Sequence, residues 1–416
     1  MKKVVIAGMI GNGLEWYDFA LYGYFAHIIG KLFIPSQDHY AQMLGTYGIF
    51  AAGFLMRPLG AVIFGYLGDK YGRKFSLTLS ILLMAIPTAC IAILPTYESI
   101  GIWAPILLTI IRLLQGISLA GQFSGSIAFI VEHSPTGKRG LAGSTTVISL
   151  CMGMLLGSLT ATIFSAVLSQ EDLESWGWRI PFALGILIAF VGFYIRHNTE
   201  ESPHYEKAKA EGRISDTPIK DAFANNLPAL LRGVGVYLAV TVPFYTLTVF
   251  LNGFIIKDLL LPAKQAYLIN TLSMLMIIII LPFGAYLTDL YGRKYILKIV
   301  LYFYFFASIP IFYLLNQGGF ANIAIAVFAF TLILSCYIGA IPALLVELFP
   351  TNIRYTGMAL SYNVAGVLGG ATPFIETWLI KNTENNLSVA FFVMLCAFIS
   401  FISFIGYHDS YKEELK

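Results

Sequence analysis

Several charged side chains stand inside apolar stretches, where charge is costly. Glu15, Asp18 and Tyr22 fall at i, i+3 and i+7, on one face of a helix. Arg57 lies in a second apolar run. Arg112 lies in a third, with Gln115 one turn along and Gln122 two turns beyond that. Two carboxylates within one such run need a wet cavity or a partner. Burial favours the protonated form of a carboxylate, so one of them is suited to taking up and releasing a proton. An arginine stays charged and presents a planar fork that matches a carboxylate, so Arg57 and Arg112 are suited to hold an anionic group. A purely structural alternative stays open at this point. In it, Arg57 locks Glu15 or Asp18 as a fold-specifying ion pair near the cytoplasmic end, and Arg112 pairs with the same acids. Tyr245 follows Pro243, where a broken helix would line a site. Asn363 precedes Gly366, Gly369, Gly370 and Pro373, a pattern that suits a bending helix. His27, Asn252, Asn270, Tyr362 and Glu376 are further polar residues within apolar runs.

A second set of charges sits between the runs. Gly65 to Lys74 reads Gly-Tyr-Leu-Gly-Asp-Lys-Tyr-Gly-Arg-Lys, too polar for hydrocarbon and therefore a tight turn at a membrane surface. It returns as Ala285-Tyr-Leu-Thr-Asp-Leu-Tyr-Gly-Arg-Lys294, with Asp69 and Asp289 220 positions apart. Glu132-His-Ser-Pro-Thr-Gly-Lys-Arg139 is echoed by Glu347-Leu-Phe-Pro-Thr-Asn-Ile-Arg354 at an offset of 215. Asp69 is placed to meet Arg73, Arg139 or a helix N-terminus. Asp289, Arg293, Glu347 and Arg354 form the second copy, expected to be less charged because Leu290 stands where Lys70 stands. One reading makes these residues shape the turn and orient the chain. The other makes them a cytoplasmic latch that breaks when two halves move.

The elements that must position these residues follow from composition. The 416 residues are 57% hydrophobic and 12% charged, with mean hydropathy +0.75. A soluble domain carries about twice that charge. Apolar runs of the roughly 20 residues that cross a bilayer fill most of the chain. The pattern predicts twelve helical spans, near 3–29, 42–67, 76–95, 102–131, 141–168, 179–196, 228–255, 265–288, 295–315, 320–346, 355–380 and 387–407. The first contains Glu15 and Asp18 and no small-residue cleavage site, so it reads as a retained helix. Lysine and arginine concentrate in alternate loops, which places both termini and the polar stretch 197–227 in the cytoplasm. The expected division is a six-helix bundle over 1–197, a linker over 198–227, and a second six-helix bundle over 228–416. Repeated halves of this kind are a signature of secondary transporters.

Gly65-x-x-x-Asp69-x-x-Gly72-Arg73-Lys74 resembles the loop 2–3 signature of the major facilitator superfamily. With its echo in loop 8–9, Arg112-x-x-Gln115-Gly116 and the twelve spans, the resemblance covers the whole chain. Gly11-Asn12-Gly-Leu-Glu15-Trp16-Tyr17-Asp18-Phe19, Arg57-Pro58-Leu-Gly60, Trp176-Gly177-Trp178-Arg179-Ile-Pro181-Phe182 and Phe349-Pro350-x-x-Ile-Arg354-Tyr355 look like its metabolite:H+ symporter branch. That branch includes proline/betaine, α-ketoglutarate, citrate and shikimate carriers. The resemblance implies an all-α polytopic membrane protein with two pseudo-symmetric bundles, importing a small carboxylate-bearing solute by alternating access with a proton. Proline/betaine-type zwitterions come first and di- or tricarboxylates second. It also supports the latch, with Asp69, Arg73, Glu132 and Arg139 in one copy. Members of the branch commonly have Gly-Gly-Glu where this chain has Ala120-Gly121-Gln122, so an uncoupled facilitator or exchanger is a further alternative. The chain lacks the long C-terminal coiled coil of some osmosensory relatives, so osmotic activation is not expected.

Other classes find little support. No phosphate-cradling Gly-x-x-x-x-Gly-Lys-Ser/Thr loop is present, so the proton gradient and not ATP is the expected driving force. Cys90, Cys151, Cys336 and Cys396 lie in apolar runs, and no His/Cys spacing indicates a metal. No cofactor, nucleic-acid partner or nucleophile–base constellation of an enzyme is expected. An exporter of amphiphiles is disfavoured because span five has Gly153 and Gly157 but no proline. A transport-dead receptor is disfavoured because Asp69, Arg112 and the span-one acids are all present. The expected setting is the inner membrane of a bacterium, with the protein working as a monomer on a small solute and protons.

Overall fold

A computed structural model describes residues 2–34, 45–46, 48–49, 52–197, 200–201, 203–212 and 218–415. The first part of the expected second span, and parts of the polar stretch 197–227, lie outside the described residues. Among the described residues every regular element is helical. The chain forms two compact units, one of Met1–His133 with Ser149–Ile219, the other of Ser134–Ile148 with Lys220–Lys416.

The first unit begins with α1 (Lys2–Tyr24), which passes through Phe25 into α2 (Ala26–Phe33) with its hydrogen bonds carried across the join. Then come α3 (Arg57–Lys70), α4 (Arg73–Ile93), α5 (Trp103–Glu132), the greater part of α6 (Arg139–Val167), α7 (Arg179–His197) and the short α8 (Pro203–Ala210). Pro58 opens α3, where its missing N–H is not needed. Gly72 separates α3 from α4 at φ +107°, a conformation that a side chain rarely adopts. Trp178 is fully buried, its ring edge-on to Phe33 and Phe182, in a core with Tyr17, Leu21 and Phe25.

The second unit contains α9 (Pro218–Tyr245), a π-helical turn at Thr246–Phe250, α10 (Leu251–Lys257), α11 (Ala263–Tyr291), α12 (Arg293–Asn316), α13 (Phe320–Ile338), α14 (Ile341–Glu347), α15 (Arg354–Thr383) and α16 (Ser388–Ser403). Gly292 repeats the Gly72 conformation at φ +101°. The expected tenth span is one path in two helices. Pro342 has no N–H to donate back to Ile338, and the helix breaks between them.

Among the described residues, seven helices are long and apolar enough to cross a membrane. The first and eleventh expected spans fall below that standard because Asn12, Glu15 and Asp18 in one, and Ser361, Tyr362, Asn363 and glycines in the other, lower their hydropathy. Large apolar side chains such as Ile93, Leu55, Phe190, Ile279 and Phe374 point outward. Outward-facing apolar surface together with buried charge is the pattern of a protein solvated by lipid.

Candidate functional site

The buried polar cluster of the first unit is built by α1, α4 and α5. Asp18 is 1% exposed and Arg112 3%. Asp18 Oδ2 accepts from Arg112 Nη1 at 2.9 Å and from Gln115 Nε2 at 3.1 Å. Gln115 Oε1 accepts from Arg112 Nη1 at 2.8 Å, and Gln115 Nε2 also donates to Thr88 Oγ1 at 2.9 Å. The Arg112 guanidinium lies over the Tyr22 ring, 3.8 Å from its centre. A cation held on a ring face in a water-poor site gains roughly 2 kcal/mol. Thr88 did not stand out in the sequence. Its position beside Pro87 inside a span was the available signal.

Asp18 Oδ1 and Arg112 Nε and Nη2 are buried without a hydrogen-bond partner among the described residues. Such groups are rare in a finished core. Arg112 and Gln115 line a narrow cavity with Phe19, Phe54, Arg57 and Met84, about 10 Å³ in size, room for about one water. Asp18 and Thr88 line a second cavity, which shares Met84 with the first. The cluster is therefore a polar wall between two small spaces. Arg57 faces the Phe54 ring at 5.4 Å, and Phe54 meets Phe19 edge-on at 5.1 Å. Glu15 is buried one turn before Asp18. The side chains of Gln122 and His27 lie outside the described residues.

Of the second unit's expected residues, Asn363 is buried and donates to its own helix at Ala359. Tyr245 packs on Gly369 of α15, where an added Cβ would lie 2.9 Å from the ring and 2.0 Å from Thr241 Oγ1.

Each repeated turn gathers a charge cluster. In the first unit Arg73 Nη1 donates to Asp69 at 3.0 Å, and Nη2 meets Glu132 at 3.3 Å, all three buried. Glu201 accepts from the backbone N–H of Arg73 and Lys74. The Tyr205 ring lies 5.2 Å from the Arg73 guanidinium, and its hydroxyl donates to the Lys70 carbonyl. Burial pushes the Tyr205 phenol up, against the opposing pull of Arg73, so it stays a neutral donor.

In the second unit Arg293 donates to Asp289 at 2.6 Å and to Glu347 at 3.2 and 3.3 Å. Arg139 meets Glu347 at 3.7 Å. Asp289 accepts from the N–H groups of Gly140 and Leu141 at 2.8 and 2.9 Å, a carboxylate at a helix N-terminus. Asp409 accepts from Lys294 N, and Lys294 Nζ donates to the Tyr407 carbonyl. Arg354 donates to the Val346 and Phe349 carbonyls and to the Thr351 hydroxyl. Glu201, Tyr205 and Asp409 were missed in the sequence. The faint signal was an acid, a serine and a tyrosine after each half, Glu201-Ser-Pro-His-Tyr205 and Asp409-Ser-Tyr411.

Comparison with known proteins bears on the whole chain. A family description, Major Facilitator Superfamily, matches residues 8–373. The chain is 33% identical over 425 residues to the proline/betaine transporter of Salmonella typhimurium, covering 100% of this chain and 85% of that protein. It is equally similar, with the same coverage, to the glycine betaine/proline/ectoine/pipecolic acid transporter OusA of Dickeya dadantii. Among solved structures, the proton:xylose symporter XylE superposes with TM-score 0.78 at 17% identity, over 99% of this chain and 97% of that one. A human organic anion transporter superposes with TM-score 0.69 at 16% identity, over 97% and 98%.

Proposed function

The chain belongs to the Major Facilitator Superfamily, and on that premise we propose that it imports a proline- or betaine-type zwitterion by proton symport. The observation that carries the reading is the Asp18–Arg112 pair at a cavity wall, with one edge of the guanidinium and one carboxylate oxygen unsatisfied among the described residues. A solute carboxylate on that edge competes with Asp18 for one arginine. The zwitterion adds no net charge, but its carboxylate and Asp18 then repel across one guanidinium, a local excess of negative charge that protonating one of them relieves. Protonation of Asp18 removes the excess, so solute and proton bind together. Phe19 and Phe54 in the same lining offer ring faces to the solute's ammonium group. The cavity is smaller than any such solute, so binding requires the lining to open.

Two bundles, 1–197 and 228–416, rock about the solute, joined by the 198–227 linker. The Asp69–Arg73–Glu132 and Asp289–Arg293–Glu347–Arg139 clusters act as cytoplasmic latches. The basic loops support a bacterial inner-membrane protein with both termini in the cytoplasm. The proton gradient drives transport without a cofactor or enzymatic step, and the monomer is the working unit. Arg57 beside Arg112 supports a second reading, a dicarboxylate solute held by two arginines.

The test is uptake by purified protein in liposomes under an inward proton gradient, with labelled proline, glycine betaine, α-ketoglutarate and citrate. Accumulation of proline or betaine that an uncoupler abolishes is expected. Equilibration indifferent to the gradient would instead make the protein a facilitator or exchanger. Arg112→Lys should weaken uptake by roughly tenfold or more, since a point charge replaces the fork and each tenfold is about 1.4 kcal/mol. Unchanged uptake would assign Arg112 to structure alone.

A further inference from the structure

The second unit holds a buried acid outside its charge cluster. Glu376 on α15 is fully buried. Its Oε1 is 2.5 Å from Thr246 Oγ1, and its Oε2 has no hydrogen-bond partner among the described residues. Thr246 opens the π-helical turn that follows α9. The titratable group facing Glu376 from α16 is the Cys396 thiol, and no basic residue among those described pairs with the acid.

The protons around Thr246 can be counted. Its oxygen is 2.9 Å from the Val242 carbonyl and 2.5 Å from Glu376. A threonine hydroxyl has one proton, and a carbonyl can only accept. With that proton on Val242, the second short contact needs a proton from Glu376. An isolated carboxylate with no cation in a bilayer is costly, which favours the same answer. We propose that Glu376 is a second proton-binding group, held as a neutral acid that donates to Thr246 Oγ1. When it ionises, its proton passes to water. The Thr246 hydroxyl must then turn its proton toward the carboxylate, and Val242 loses its side-chain donor. Proton binding at Glu376 and the Thr246–Val242 hydrogen bond in the last turn of α9 thus form and break together, one switch at a π-helical turn of the kind found at functional sites.

The inference rests on the proton-symport reading for its place in the cycle, but the protonation state can be measured without transport. Infrared spectra of purified wild type and Glu376→Gln are compared as pH rises. Glutamine keeps the neutral donor to Thr246 and should fold. The expected result is a neutral-acid carbonyl band at neutral pH, shifted in heavy water, lost on alkaline titration of the folded protein and absent from E376Q. A band missing at neutral pH, or unchanged throughout the titration, overturns the proposal. In liposomes, E376Q should keep proline or betaine exchange and lose gradient-driven accumulation. Wild-type accumulation by E376Q overturns the coupling role. Failure of the wild type to accumulate any solute counts against symport and leaves the infrared result to decide the acid.

Discussion

The turns at Gly72 and Gly292 are copies built round one arginine held between two carboxylates. Both glycines adopt nearly the same backbone, φ 107°, ψ 156° and φ 101°, ψ 151°. Both are followed by an arginine that reaches back to an aspartate four residues earlier. In the first copy one arginine, Arg73, bridges two carboxylates, Asp69 and Glu132. In the second, Arg293 likewise bridges Asp289 and Glu347, and Glu347 also meets Arg139. Leu290 in place of Lys70 does not leave the second copy short of charge. Lys70 donates to the Tyr66 hydroxyl, and the second copy draws its further cation from Arg139. The segment 134–148 packs in the second unit and brings Arg139, Gly140 and Leu141 with it. Local geometry and the bridging arginine are thus inherited with the ten-residue motif, while Arg139 comes from a segment packed against it.

The sharpest way to break this comparison is to remove the bridging Arg73 from the first cluster and the added Arg139 from the second. Arg73→Ala takes the common guanidinium from two buried carboxylates and should destabilise by about 3–5 kcal/mol, with uptake lost. Arg139→Ala leaves Glu347 its closer partner Arg293 but removes buried charged hydrogen bonds and should cost up to about 3 kcal/mol. Thermal unfolding in detergent, read beside uptake in liposomes, measures both, and equal losses would mean that Arg139 matters to its cluster as much as a bridging arginine does.

A smaller effect is expected from the aspartates. Asp289→Asn keeps one acceptor for the Gly140 or Leu141 N–H but loses the charge, a loss of about 1.5–3 kcal/mol for hydrogen bonds of this type. Asp69→Asn should reduce uptake while the protein still inserts. Uptake rates of both mutants, normalised to membrane protein, test the latch. Wild-type rates in either would confine that cluster to structure. The smallest effect belongs to the outer acids. Glu201→Ala and Asp409→Ala each remove a cap from a helix start and should cost about 1 kcal/mol. Similar values would show that the caps are equivalent copies. A much larger loss at Glu201 would mean that the segment after α7 holds the first cluster together.

Partner choice was the least legible part of the site. The sequence offered Asp69 three partners: Arg73, Arg139 and a helix N-terminus. In the structure Arg73 meets Asp69, Arg139 meets Glu347, and the helix N-terminus at Gly140 is held by Asp289. Likewise it left Asp18 between Arg57 and Arg112, and the register of α1 against α5 selects Arg112. The i, i+4 pairs were readable because one helix and one turn fix them. Arg112 with Asp18 was not, since 94 positions separate them.

By itself the sequence determined what belongs to local physics and to repetition. Apolar length demanded spans, basic loops set their expected orientation, and matching turns at nearly one offset announced two halves. Tertiary structure alone decided which buried charges share a partner, that Thr88 completes the Asp18 cluster, and that Glu376 meets Thr246 across two helices. The physical reason is range. Hydrophobicity and turn chemistry act within a few residues of the chain. A buried ion pair or hydrogen bond exists only where packing brings distant helices within about 3 Å, and side-chain identity does not encode that register.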